Sequence, residues 1–81
     1  MINASEVSPD MPVVCSLDGE FASVDHMEGA EFIKLKKDEM GQHHYIPLAW
    51  VTSAEDGKLK VDRTGKEAMQ EWLTKPSFNP L

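Results

Sequence analysis

The stretch "MPVVCSLDGEFASVDHM", residues 11–27, carries the pattern that decides the fold. Asp18 and Gly19 stand between two apolar runs. An Asp-Gly pair at such a point suits the positive φ angles of a tight hairpin turn. The pattern therefore predicts a β-hairpin whose strands lie near Pro12–Ser16 and Glu20–Met27.

Further strand signals follow the hairpin at short intervals. In "EFIKLKK", residues 31–37, the alternation places Ile33 and Leu35 on one face of a strand and Phe32, Lys34 and Lys36 on the other. A short turn built on Gly29 separates this strand from the hairpin. Three more short strands are predicted at "HHYIP", "AWVTSA" and "KLKVD", residues 43–47, 49–54 and 58–62, with a second Asp-Gly turn before the last of them.

The pattern changes to that of a helix near the C-terminus. Thr64 and Glu67 have the spacing of a capping box, in which each side chain accepts from the other residue's backbone amide. Ala68, Met69 and Trp72 then fall on one helical face, which is expected to dock on the sheet, and Pro76 is expected to stop the helix. Five to six strands and one short C-terminal helix predict a mainly β fold, a small twisted sheet or half-open barrel.

A chain of 81 residues is expected to form a single domain with a thin core, which small proteins often supplement by oligomerisation. The expected organisation is a flexible N-terminal arm at residues 1–10, one domain at residues 11–73 and a C-terminal tail at residues 74–81. Phe78 and Leu81 in that tail are candidates for contact with the domain or with a neighbouring subunit.

Composition narrows the functional classes. The net charge of −6, from 14 acidic and 8 basic residues, disfavours nucleic-acid binding. Lys34, Lys36 and Lys37 form either a local basic cluster or, more simply, a solvated strand face. Cys15 is the single cysteine, so no intrachain disulfide can form, which fits a reducing compartment. Its thiol is expected to be buried, with an intermolecular disulfide as the alternative. Since the sequence has neither a secretory signal nor an apolar run of about 20 residues, a cytoplasmic protein without membrane insertion is expected.

The three histidines are the candidates for a metal or ligand site. Neighbouring strand residues point to opposite faces, so His43 and His44 are not expected to bind one ion together. Strand alternation predicts His44 and His26 on the core side, where they approach each other across the sheet. Such a pair is a structural hydrogen-bonded element, a weak metal or anion site, or a proton-coupled switch. His43 and Tyr45 are predicted to face solvent or a partner.

The sequence offers little support for catalysis. Ser16, Ser23 and Ser53 lie in no G-x-S-x-G motif, and a small sheet leaves little room for a substrate pocket. We therefore expect neither enzymatic activity nor a cofactor. Trp50 is read either as core packing or as an interface anchor.

Several motifs together resemble a known group. "SLDGEFASVDHMEG", "IKL" and "HHYIPLAWV", followed by an Asp-Gly turn, "LKV" and a threonine-capped helix, are similar to an uncharacterised bacterial family of small domains. That family is similar to the PRC-barrel group, which includes the photosynthetic reaction centre H-subunit domain and the C-terminal domain of a ribosome maturation factor. The resemblance covers roughly Pro12 to Trp72. The sequence departs from the usual pattern at Ala22, where a glycine is common, and at Ala49, where an acidic residue is common.

The resemblance implies a half-open, PRC-barrel-like (SH3-like) sheet that docks to other proteins, and it transfers no catalytic residues. The leading expectation is a non-catalytic protein-interaction module that self-associates as a homo-oligomer. Its candidate contact residues are His43, Tyr45, Trp50, Phe78 and Leu81. The alternative is a small ligand- or metal-binding domain that uses His26 and His44.

Overall fold

The computed structural model describes residues 2–17 and 19–74 of the chain. The described residues form six strands and one α-helix: β1 Pro12–Val14, β2 Glu20–Glu28, β3 Phe32–Leu35, β4 Tyr45–Pro47, β5 Val51–Ser53, β6 Leu59–Val61 and α1 Gly65–Glu71. Short 3-10 helices lie at Ala4–Glu6 and Leu48–Trp50.

The strands make one mixed, open sheet in the order β4-β3-β2-β1-β6-β5. Four of the neighbouring pairs are antiparallel, whereas β1 and β6 are parallel, with Val13 opposite Leu59. The predicted mainly β class, the six strands and the single short C-terminal helix are therefore confirmed. The sheet does not close, because β4 and β5 are its two edges.

The core lies on one face of the curved sheet. In β3, Ile33 and Leu35 are buried while Phe32 and Lys34 are only partly so, which confirms the predicted alternation. Every strand contributes to the set of fully buried side chains: Val13, Val24, Ile33, Leu35, Ile46, Val51, Leu59 and Val61.

The N-terminal segment packs against this core. Ile2 is only 8% exposed and belongs to the central hydrophobic cluster. The backbone amide of Asp10 donates to the carbonyl of Val24, and the amide of Val24 donates to the carbonyl of Met11. The domain therefore draws part of its core from residues that the sequence pattern assigned to an arm.

An irregularity in β2 changes the direction of one predicted core histidine. The pairing with β3 shifts register between Val24 and His26, so these two residues no longer share a face. Val24 is fully buried, whereas the side chain of His26 is 51% exposed. The prediction that His26 leans towards the core is wrong, because simple alternation fails across the bulge.

Helix α1 begins as predicted but ends earlier. The amide of Glu67 donates to Thr64 Oγ1 at 3.2 Å, and the amide of Thr64 donates to Glu67 Oε1 at 3.0 Å, which confirms the capping box. Trp72 already has extended backbone, and Leu73 then pairs with Tyr45 on the free edge of β4. Pro76, the predicted stop, lies outside the described residues. Across the described parts of the chain, no helix has the length and apolar character needed to cross a membrane.

Candidate functional site

A stacked pair of rings joins the end of α1 to the start of β4. His44 and Trp72 lie with their ring centroids 3.8 Å apart and their planes only 10° from parallel. The side chain of His44 is 10% exposed, and its Nε2 lies 2.8 Å from Asp38 Oδ2. Phe21 extends the aromatic group, with its ring centroid 6.3 Å from that of Trp72.

Asp38 organises the loop that leads into this site. Its Oδ1 accepts from the backbone amides of Met40 at 2.8 Å and Gln42 at 3.0 Å, while Gly41 takes a positive φ of 78°. The hydrogen bonds from the amide of Gln42 and from His44 lower the pKa of the Asp38 carboxyl, in that order of strength. One oxygen of the Asp38 carboxylate therefore accepts from the loop amides, and the other binds the buried imidazole of His44.

The same contact sets the tautomer of His44. Because Nε2 faces a carboxylate, it carries the hydrogen and donates it to Asp38. Nδ1 is buried and has no hydrogen-bond partner among the described residues. The ring of His44 thus directs Nε2 to Asp38 and stacks its face against the ring of Trp72.

Two neighbouring grooves open beside the stacked rings. The first has a volume of about 470 Å³ and is lined by His44 and Trp72 together with Lys36 and Lys37 on its basic side. The second, which we call the methionine groove, has a volume of about 380 Å³ and is lined by Phe21, Asp38, Glu39, Met40, Met69 and Trp72. Phe21, Asp38 and Trp72 line both grooves, so the two form one continuous feature.

The methionine groove carries unusually exposed apolar side chains. Met40 is 90% exposed and Met69 is 47% exposed. They come from different elements, the loop before β4 and helix α1, yet both line this groove. Leu17 is 76% exposed as well, but it does not line either of these grooves.

A second cluster of ionisable groups lies around Asp25 in β2. His26 Nδ1 lies 3.0 Å from Asp25 Oδ1, and His43 Nδ1 lies 3.7 Å from Asp25 Oδ2. His43 Nδ1 is closer to the carbonyl oxygen of Leu35, at 2.8 Å, and donates to it. The hydrogen bond from His26 is the main cause that lowers the pKa of Asp25. Within residues 2–17 and 19–74, no group of three or more His, Cys, Asp or Glu side chains is arranged to hold a metal ion.

The structure therefore separates the two histidines that alternation predicted to meet. His44 is buried and bound to Asp38, whereas His26 is exposed and bound to Asp25 and, at 3.6 Å, to Glu28. Instead, His43 shares a carboxylate with His26, because both rings lie near Asp25.

The predicted contact residues have varied positions. Tyr45 is buried, so the prediction that it faces solvent or a partner is wrong; the chain around Leu73 covers the edge strand on which it lies. His43 is half-buried. Trp50 is half-buried beneath the guanidinium of Arg63, which lies 3.8 Å from its ring centroid.

Phe78 and Leu81 lie outside the described residues. The burial predicted for Cys15 is confirmed.

An open six-stranded mixed sheet with an aromatic groove beside its C-terminal helix defines a small β domain. Residues 7–69 match the family described as "Uncharacterized protein conserved in bacteria (DUF2171)", and the chain belongs to that family. The predicted membership of an uncharacterised bacterial family of small domains is thereby confirmed. The searches matched no curated protein and no solved structure.

Proposed function

We propose that this chain is a non-catalytic protein-interaction module that self-associates through the methionine groove. The observation that carries the proposal is the exposure of Met40 and Met69 beside the rings of Phe21 and Trp72. Contiguous exposed apolar surface on a small domain is typical of an interaction site. Methionine suits such a surface because its unbranched side chain adapts to the shape of a partner.

Other features support the same proposal. A chain of this size has a thin core, and association adds buried apolar surface worth about 25 cal/mol per Å². Trp50 and His43 are half-buried and offer further contact area. A relation to the PRC-barrel group, suggested by the sequence motifs, is part of this proposal. We place the protein in the cytoplasm as part of this proposal.

Size-exclusion chromatography with light scattering tests the self-association. The wild-type chain is expected to form an oligomer at high micromolar concentration, and the double variant Met40→Glu, Met69→Glu is expected to be a monomer. Leu17→Glu is the matched control, since it charges another exposed hydrophobic position, which lies outside the groove. A wild-type chain that stays monomeric at that concentration would refute self-association.

The second candidate is a ligand site in the 470 Å³ groove. Its volume is within the roughly 300–1,000 Å³ range of ligand pockets. Lys37 can attract an anion, whereas Lys36 is already paired with Asp10, and the rings of Phe21 and Trp72 offer an apolar wall. Of the two histidines predicted to form a site, this groove includes His44 but not His26, because His26 binds Asp25.

Titration calorimetry with zinc, nickel, inorganic phosphate and phosphate-bearing metabolites tests that second candidate. A ligand that binds the folded state raises the melting temperature by mass action. If none of these compounds gives heat or raises the melting temperature, the ligand-binding candidate fails.

A further inference from the structure

We infer that the occupant of the methionine groove is the C-terminal segment of a second copy of this chain, residues 75–81, "KPSFNPL". The inference rests on the self-association proposed above and names the parts that meet. It follows from the charge of the groove, the composition of the segment and the point at which the described chain ends.

The groove and the segment are complementary in charge and polarity. Asp38 and Glu39 line the groove beside its apolar side chains. The segment contains one lysine, the large apolar residues Phe78 and Leu81, and no acidic residue. Since the whole chain carries a net charge of −6, two copies repel each other at long range, and a locally basic, apolar segment is the part best suited to approach this acidic rim.

The described part of the chain ends close to the methionine groove. Trp72 is itself a wall of the groove, and Leu73 is then tied to the edge of β4 by two backbone hydrogen bonds with Tyr45, at 2.8 and 2.9 Å. A residue that precedes proline favours extended backbone, and Pro76 and Pro80 each impose this preference. Seven residues can span at most roughly 23–25 Å, a length that permits contact with a second copy.

A complementation experiment tests the inference with full-length chains. One variant has an altered groove, Met40→Glu with Met69→Glu, and keeps its segment. The other has an altered segment, Phe78→Ser with Leu81→Ser, and keeps its groove. Each alone is expected to self-associate about tenfold or more weakly than wild type, as expected for loss of central apolar anchors. An equimolar mixture, one partner carrying a fluorescent label, is expected to form a heterodimer in sedimentation velocity, because one intact segment meets one intact groove.

The outcomes distinguish the inference from the proposed function. If the segment variant associates as tightly as wild type, the occupant is wrong while self-association stands. If the mixture fails to complement, exchange between copies is wrong, and the segment acts on its own copy or elsewhere. If wild type is monomeric, both ideas fail.

Circular dichroism and thermal melting confirm that each variant is folded, and Met69→Glu alone replaces the groove double variant if that chain does not fold. Leu17→Glu is the control that should associate like wild type.

Discussion

At the scale of single residues, the environment of His44 shows what a strand pattern can and cannot predict. His44 is buried, as predicted, although it lies just before β4 and its neighbour Tyr45 is buried too. The pattern gave no sign of the stacked Trp72, which is 28 positions away in sequence. It also failed for Tyr45, because an edge strand becomes buried when a later segment covers it. The partner Asp38 had a readable signal, an aspartate three residues before Gly41 in a polar loop, which is typical of a side chain that caps a turn.

Asp38 is expected to make the stability of the protein depend on pH. Its pKa is lowered in the folded state, so its stabilising effect is present above the ordinary aspartate pKa of about 3.9 and is lost as pH falls through the lowered value. In urea denaturation, Asp38→Asn should be less stable than wild type at pH 7. The difference should shrink as the pH drops below about 4.

The matched control for that series is Glu39→Gln. It removes a charge at the neighbouring position and leaves the hydrogen bonds of Asp38 to Met40, Gln42 and His44 in place. Its stability should follow that of wild type across the series. A gap between wild type and Asp38→Asn that stays constant from pH 7 to pH 2.5 would contradict the assigned role of the carboxylate.

At the scale of elements, the turns were the most predictable parts and the bulges the least. The second Asp-Gly pair forms the expected tight turn, with φ of 57° at Asp56 and 73° at Gly57, closed by the amide of Lys58 donating to the carbonyl of Glu55 at 3.0 Å. The capping box of α1 is equally local, and both were readable because neighbouring residues alone produce them. The bulge near His26 depends on how β2 fits β3, which no short window of sequence contains.

The turn at Gly57 allows a test of backbone conformation by itself. A Cβ added at Gly57 would meet no atom within 4 Å, so Gly57→Ala introduces no steric clash with other parts of the chain. The positive φ alone should lower the free energy of unfolding by about 1–2 kcal/mol. Chemical denaturation measures this loss.

Gly65→Ala is the paired control for the turn. Gly65 begins α1, has no positive φ, and an added Cβ would make ordinary contact with Phe21 at 3.5 Å. Alanine has the higher helix propensity, so this variant should lose no stability. Equal losses from the two substitutions would contradict the conformational explanation.

At the scale of the whole molecule, the buried residues are spread along the described chain from Ile2 to Ala68. The composition and the six apolar runs predicted the class of fold, because each run buries its own side chains. The order of the strands, and the parallel pairing of β1 with β6, could not be predicted, since both depend on which distant runs pack together. The burial of Ile2 could not be predicted either, because a single apolar residue in a polar segment forms no periodic pattern.

Ile2 is expected to stabilise the whole domain. Ile2→Ala removes a side chain from the central cluster and should lower the free energy of unfolding by about 2 kcal/mol, near the lower end for buried isoleucine. Ser5→Ala, at an exposed position in the same segment, should change it by less than about 0.5 kcal/mol. A loss of less than about 0.5 kcal/mol for Ile2→Ala, measured by urea denaturation, would show that the segment does not share the core.

The parallel pairing of β1 with β6 also has a consequence for synthesis on the ribosome. β1 leaves the exit tunnel early, but its partner Leu59 is made 46 residues after Val13. Until then, one side of β1 has unpaired amides and carbonyls, the kind of edge at which nascent chains associate wrongly. The sheet cannot be completed gradually from the N-terminus, so a nascent chain halted before Leu59 should be open to proteolysis, and protection should come only when β6 emerges.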